Sequence, residues 1–173
     1  PSFTTVDKEL VDALETALDD VVVAHRSGPD YSLLKKGHVG RGGGTNPVTR
    51  AMRTLWLDGT DSKTKYIPTE SLLNSPDVRI AVLQGLLDSD GGPVTQRQRS
   101  CRIQYTTCSE RLRDDVVFLV RSLGGVAYVR TRPAEGRKPG RAHGRAVHHR
   151  SDSHVLDIRL PEGIEPFRLT RKR

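Results

Sequence analysis

The sequence predicts a mixed α/β (α+β) fold made of two similar halves, on three observations. Phe3-Thr4-Thr5, Asp7 and Leu10 recur as Tyr105-Thr106-Thr107, Ser109 and Leu112 at one constant offset, which marks an internal repeat. Each copy passes from a short alternating strand into a helix-period stretch and back into alternating strands. Ahead of the second copy lies an apolar stretch of helical length that ends on Asp88, Asp90, Gly91 and Gly92.

Taken in order, residues 2–5 read as a strand and residues 8–18 as a helix capped by Asp7, with Leu10, Leu14 and Leu18 on one face. Strands follow at about 21–26 and 30–36. Residues 36–45 form a glycine-rich loop in which no Lys-Ser/Thr follows the glycines, so a nucleotide-binding loop is not predicted. Asn46-Pro47 starts a short helix reaching about Leu57. These features divide the chain into a first half-domain with its linker over residues 1–62 and a second half-domain over 63–173.

The second half opens with a helix over 76–90, where Ser75 is the N-cap, Pro76 the first helical residue and Asp77 an acid in the first turn. From Val78 to Leu87 it is apolar almost all round, so it is expected in the interior. Gly85 costs a helix interior roughly 1 kcal/mol against alanine, and a partner backbone approaching closely there accounts for it. Carboxylates at a helix C-terminus oppose the macrodipole and are better tolerated beside a bound cation. After it come a strand at 103–107, a Ser109-capped helix through Leu123 ended by Gly124 in a left-handed turn, and a strand at 126–132. Residues 133–151 read as a basic loop and 154–160 as the last strand.

The 173 residues carry a formal charge of +7, which favours an anionic partner, nucleic acid first. No apolar run approaches the ~20 residues of a membrane span, and no signal peptide is visible, so an intracellular, cytoplasmic protein is expected with Cys101 and Cys108 reduced. Alternation puts Cys101, Ile103 and Tyr105 on one strand face and Ser100, Arg102 and Gln104 on the other. Arg102 and Gln104 are the side-chain types that read guanine and adenine edges. Gln96, Gln98, Tyr128, Arg130 and Arg132 extend that surface, and Arg137, Lys138, Arg141 and Arg145 meet phosphates. His143, His148 and His149 lack the spacing of a zinc site and read as solvated.

Leu83-Gln84-Gly85-Leu86-Leu87-Asp88-Ser89-Asp90-Gly91 resembles the LAGLIDADG (DOD-type) motif of homing endonucleases, with Leu83, Gly85, Leu86, Asp88, Asp90 and Gly91 matching letter for letter. Lys65-Tyr66-Ile67-Pro68 resembles the Lys-x-Ile-Pro segment of intein endonucleases, and residues 166–173 resemble the end of such a region. The resemblance implies two αββαββα-like halves with antiparallel sheets, related by a pseudo-twofold. The first half's motif helix is then missing, which is expected to reflect N-terminal truncation. It also implies site-specific cleavage of double-stranded DNA with Mg2+ held by Asp90, and a catalytic Lys65 with Lys63 as competitor. Lys172 becomes the second repeat's counterpart of Lys65, and Asp88 caps or supports the helix end. Gly85, Leu86 and Ser89 form the helix interface, through which a second copy can associate. The rest of an intein and its host protein are the implied covalent partners. Pro1 and Arg173 supply no splicing nucleophile or terminal His-Asn, so splicing is expected elsewhere in an intein. With one acidic motif, this chain alone is expected to cleave poorly. The alternative is a non-catalytic DNA-binding module or a decayed endonuclease.

Overall fold

The two matched segments of sequence follow one strand–helix–strand–strand path. The structure, a computed structural model, describes residues 1–37, 45–96, 99–142 and 145–173, without side-chain detail at 95, 96, 99–101, 142 and 145. It divides into two units, Pro1–Gly59 and Thr60–Arg173.

In the first unit, β1 (Ser2–Thr4), α1 (Lys8–Ala17), β2 (Val21–Ser27) and β3 (Asp30–Lys35) precede α2 (Pro47–Thr54). The strands pair antiparallel in the order β1-β3-β2. Val11, Val21, Val23 and Leu33 form its core, flanked by Phe3, Leu14 and Tyr31. Phe3 stacks on Tyr31 with ring centroids 5.4 Å apart. Asp7 holds the N-cap position of α1, but its side chain does not take the cap hydrogen bond expected of it. The backbone at Asp7 is tied locally instead, its N–H donating to Thr5 Oγ1 at 3.1 Å. After α2 the chain turns through Trp56 at φ 57°, a left-handed conformation. There Leu57 N–H returns to the Met52 carbonyl and Trp56 N–H to that of Arg53.

The second unit contains α3 (Thr69–Leu72), α4 (Pro76–Asp90), β4 (Gly91–Gln96), β5 (Arg99–Thr107), α5 (Glu110–Ser122), β6 (Val126–Arg132), β7 (Gly140–Ala142), β8 (Arg145–Val147), β9 (Ser153–Arg159) and a closing 3-10 turn at Thr170–Lys172. Its main sheet is antiparallel in the order β4-β5-β9-β6. Without β4, the order β5-β9-β6 repeats that of β1-β3-β2. Helices α4 and α5 cover one sheet face, burying Leu83 and Leu87 with Tyr105, Val116, Leu119, Leu156 and Ile158. Ser109 Oγ accepts from Leu112 N–H at 3.1 Å and caps α5. At the other end Gly124 adopts φ +81°, while Gly125 N–H reaches the Val120 carbonyl and Gly124 N–H that of Arg121. This paired return is a Schellman ending. The mixed α/β architecture with antiparallel sheets is consistent with the fold expected from the sequence.

Three sequence expectations need correction. Helix α4 is not buried all round: Leu83, Leu87 and Asp88 face the core, whereas Val78, Gly85 and Ser89 are exposed. No described heavy atom lies within 4 Å of where a Gly85 Cβ would sit, so no neighbouring backbone explains that glycine. The basic stretch 133–151 is not all loop, since β7 and β8 pair within it. Nothing in their composition alternates because Arg141, Ala146 and Val147 are all exposed. Gly91-Gly92-Pro93, to which the sequence assigns no element, begins β4, paired with Tyr105, Gln104 and Ile103. Gly91 fits there because a Cβ would meet Leu87 backbone atoms at 2.9 Å.

Candidate active site and nucleic-acid interface

The last turn of α4 sends its two acids to different surroundings, as residues two apart on a helix must. Asp88 turns inward and is buried. Its Oδ2 accepts from Arg168 N–H at 3.1 Å and its Oδ1 from Leu169 N–H at 3.4 Å. One turn earlier Gln84 grips the same segment: Nε2 donates to the Glu165 carbonyl at 2.8 Å, and Oε1 accepts from Arg168 Nε at 2.9 Å. Phe167 and Leu169 bury their side chains beneath. The buried Lys172 Nζ donates to the carbonyls of Leu87, Asp88 and Gly91 at 3.0, 2.6 and 2.7 Å. It thereby places a positive charge at the negative end of the helix. Nothing in the sequence shows that a lysine some eighty residues away holds these carbonyls.

Asp90 points outward, and its Oδ2 lies 4.0 Å from Lys65 Nζ with both side chains about half exposed. Lys65 is brought there by the N-terminal half of α5. Ser109 Oγ donates to the Lys65 carbonyl at 2.6 Å, Ile67 N–H donates to Asp115 Oδ2 at 2.8 Å, and Arg111 stacks over Tyr66 at 4.2 Å. Upstream, Asp61 folds the approach by accepting from Lys63 N–H and Thr64 N–H at 2.8 and 3.0 Å. The Lys63 N–H and then the Thr64 hydroxyl hold its carboxyl below the usual carboxylate range. Lys63 itself lines a different cleft of about 720 Å3, with Cys108, Asp114 and His154. Tyr105, buried behind Asp90, keeps its phenol protonated well above the ordinary tyrosine range, first through burial and then through the Asp90 charge.

Among the described residues no three His, Cys, Asp or Glu side chains gather as a ready-made metal cage. Asp90 supplies one carboxylate. A divalent ion bound there would have to take most of its ligands from water and phosphate oxygens.

The sheet face opposite the helices is polar, and register shows why. Gln104, Asp157 and Tyr128 stand in one row across β5, β9 and β6, with Arg102 and Arg130 on the same face. Arg102 Nε lies 3.3 Å from Asp157 Oδ1, off the line of a hydrogen bond, while Gln104 Nε2 donates to that oxygen at 3.1 Å. Arg130 Nη2 lies 3.6 Å from Asp157 Oδ2. Sequence reasoning assigned Arg102, Gln104 and Arg130 to this face but missed Asp157, whose only signal was its place in the last alternating strand. Arg132 is exposed at the end of β6, and Lys138 and Arg141 are exposed along the β6–β9 connection. Arg137 is partly buried and donates to Ser153 Oγ at 3.0 Å. Residues 38–44, Gln98 and His143 lie outside the described residues, as do the side chains of Gln96 and Arg145. Of the helix-interface residues, Gly85 and Ser89 are exposed, whereas Leu86 is half-buried against the core. No described helix is long and apolar enough to cross a membrane.

No curated protein matches this chain. A family model described as a LAGLIDADG-like domain matches residues 77–156, from the first turn of α4 into β9. Domains of this family are usually DNA-binding nucleases that use a divalent metal. The helix with its acidic end, the sheet and the cap-to-cap helix α5 all fall within the stretch that is similar to a LAGLIDADG-like domain.

Proposed function

We propose that this chain is the DNA endonuclease region of an intein-encoded homing endonuclease, cutting double-stranded DNA at a specific site in the cytoplasm. The observation that carries the reading is the meeting of Asp90 and Lys65, from separate elements, at the exposed end of the α4 motif helix. In this reading the rest of the intein and its host protein are covalent neighbours.

Asp90 would hold Mg2+, which when bound orients water and neutralises charge on the leaving oxygen. Lys65 presents an ammonium to the phosphate, where developing negative charge needs a partner. Asp88 and Lys172 position the helix end: Asp88 ties the 165–169 segment to it, and Lys172 holds its terminal carbonyls. We therefore assign Lys172 to positioning rather than to direct contact with DNA. Arg102, Gln104 and Arg130 face base edges, while Arg132, Arg137, Lys138 and Arg141, with Gln96, Gln98 and Arg145, extend the contact to further bases and phosphates.

A double-strand cut needs two such carboxylate ends, and this sequence carries one. We assign the second to another motif helix packed on the exposed Gly85–Ser89 face, from a further segment or a second copy. The alternative, a DNA-binding module without cleavage, draws support from that same single acid.

The test is to incubate the chain and Asp90→Asn with duplexes carrying candidate insertion-free sites, with and without Mg2+. Expected are salt-dependent binding by both proteins, and weak Mg2+-dependent cleavage by the wild type that disappears in Asp90→Asn. Binding without cleavage, even at concentrations that drive self-association, would leave the non-catalytic reading. Absence of binding at low salt would remove both.

A further inference from the structure

Among the described residues, Asp157 is the one carboxylate on the polar sheet face, and three basic or amide side chains surround it. Asp157 sits on β9, between β5 and β6, so it touches residues from both neighbours. An ionised carboxylate accepts and never donates hydrogen bonds. The Gln104 amide at 3.1 Å must therefore turn its NH2 group toward Asp157. That fixes an orientation which an isolated glutamine, free to rotate by half a turn, does not have. One N–H is held by Asp157, leaving the second N–H and the carbonyl oxygen for a ligand. This donor and acceptor pair complements the N7 and N6 edge of adenine in a major groove. Arg102 and Arg130, 3.3 and 3.6 Å from the two carboxylate oxygens, are held from opposite sides.

We infer that Asp157 is a specificity-determining positioning residue, which orients Gln104 to read adenine and restrains Arg102 and Arg130 beside it. The inference rests on the DNA-binding reading above and deepens it. Asp157 works through its neighbours, so removing its charge should separate sequence preference from general affinity. General affinity follows phosphate contacts and net positive charge. Losing one negative charge from this face leaves it unchanged or raises it. A good bidentate base contact is worth roughly 5- to 150-fold in discrimination, and that preference should go.

The experiment is selection from a randomised duplex pool by the full chain, by Asp157→Asn and by Gln104→Ala, with circular dichroism to establish that each is folded. Total affinity for the unselected pool is measured at two salt concentrations. The expected result is an adenine preference at one or more positions of the wild-type pool, lost in both variants, with Asp157→Asn binding the unselected pool as tightly as wild type or tighter. Retention of that preference by Asp157→Asn overturns the inference. So does an equal loss of affinity for every duplex, which marks a merely structural role. A wild-type chain that binds the pool without any base preference also overturns it, while leaving DNA binding intact. Failure of the wild type to bind DNA sinks the underlying reading instead.

Discussion

Asp88 and Asp90 differ by two positions and by nearly everything that follows from burial. Asp88 accepts two backbone N–H groups inside the protein, so Asp88→Ala leaves both without a partner. The expected cost is about 1–3 kcal/mol, read from urea unfolding. Asp90→Asn should change stability by no more than ~0.5 kcal/mol in the same assay, because its side chain is half exposed and its ion pair is long. If the two substitutions were equally destabilising, the division between a buried, supporting carboxylate and an exposed one that the fold does not need would be wrong. Trp56 offers the converse case: an 82 % exposed residue held at φ 57°. A left-handed conformation costs an L-residue roughly 1–2 kcal/mol, which glycine avoids. Trp56→Gly is accordingly expected to raise the melting temperature. Residue by residue, the sequence showed Asp90, Lys65 and the outward Arg102 and Gln104 through motif and alternation. It could not show Asp157 beside Gln104 or Arg168 beside Gln84, because local periodicity says nothing about which distant segment pairs where.

At the scale of elements, helix α4 holds one glycine that the described structure does not need and leads into another that it does. Gly85→Ala meets open space and gains helix propensity, so it should stabilise the chain by up to ~1 kcal/mol. Gly91→Ala drives a methyl group into the Leu87 backbone and should destabilise by ~1–3 kcal/mol. Thermal denaturation of the pair checks both signs. Sedimentation adds a further reading: if a second motif helix packs on this face, Gly85→Ala should weaken any self-association while strengthening the monomer. The helices with strong signals at both ends were legible, notably α5 between Ser109 and Gly124. The β7–β8 hairpin was not, since both of its faces are wet and no apolar alternation marks it. Strand β4 was hidden by its two leading glycines, of which Gly91 is required by close packing against α4.

The molecule as a whole repeats one path, β1-α1-β2-β3 and then β5-α5-β6-β9, and this was readable from a few aligned residues. The main difference lies in the connection before the last strand. Between β2 and β3 it is a tight turn at Gly28, whereas between β6 and β9 it carries the basic β7–β8 hairpin. The second unit has its own core and its own strap across the end of α4. Residues 60–173 alone are therefore expected to unfold in one cooperative transition, with amide spectra matching those of the same residues in the full chain. A molten spectrum from that fragment would show that the first unit is needed to fold the second.

The strap of residues 165–172 also sets an order of events during synthesis. Lys172 and its carbonyl partner on Leu87 are 85 residues apart, which at ~5–20 residues per second is roughly 4–17 s of translation. Throughout that interval the acidic end of α4 is without its clamp. A nascent chain carries the motif before it carries the means to hold it still, so under the endonuclease reading the acidic helix end would take its working shape only when the last residues arrive.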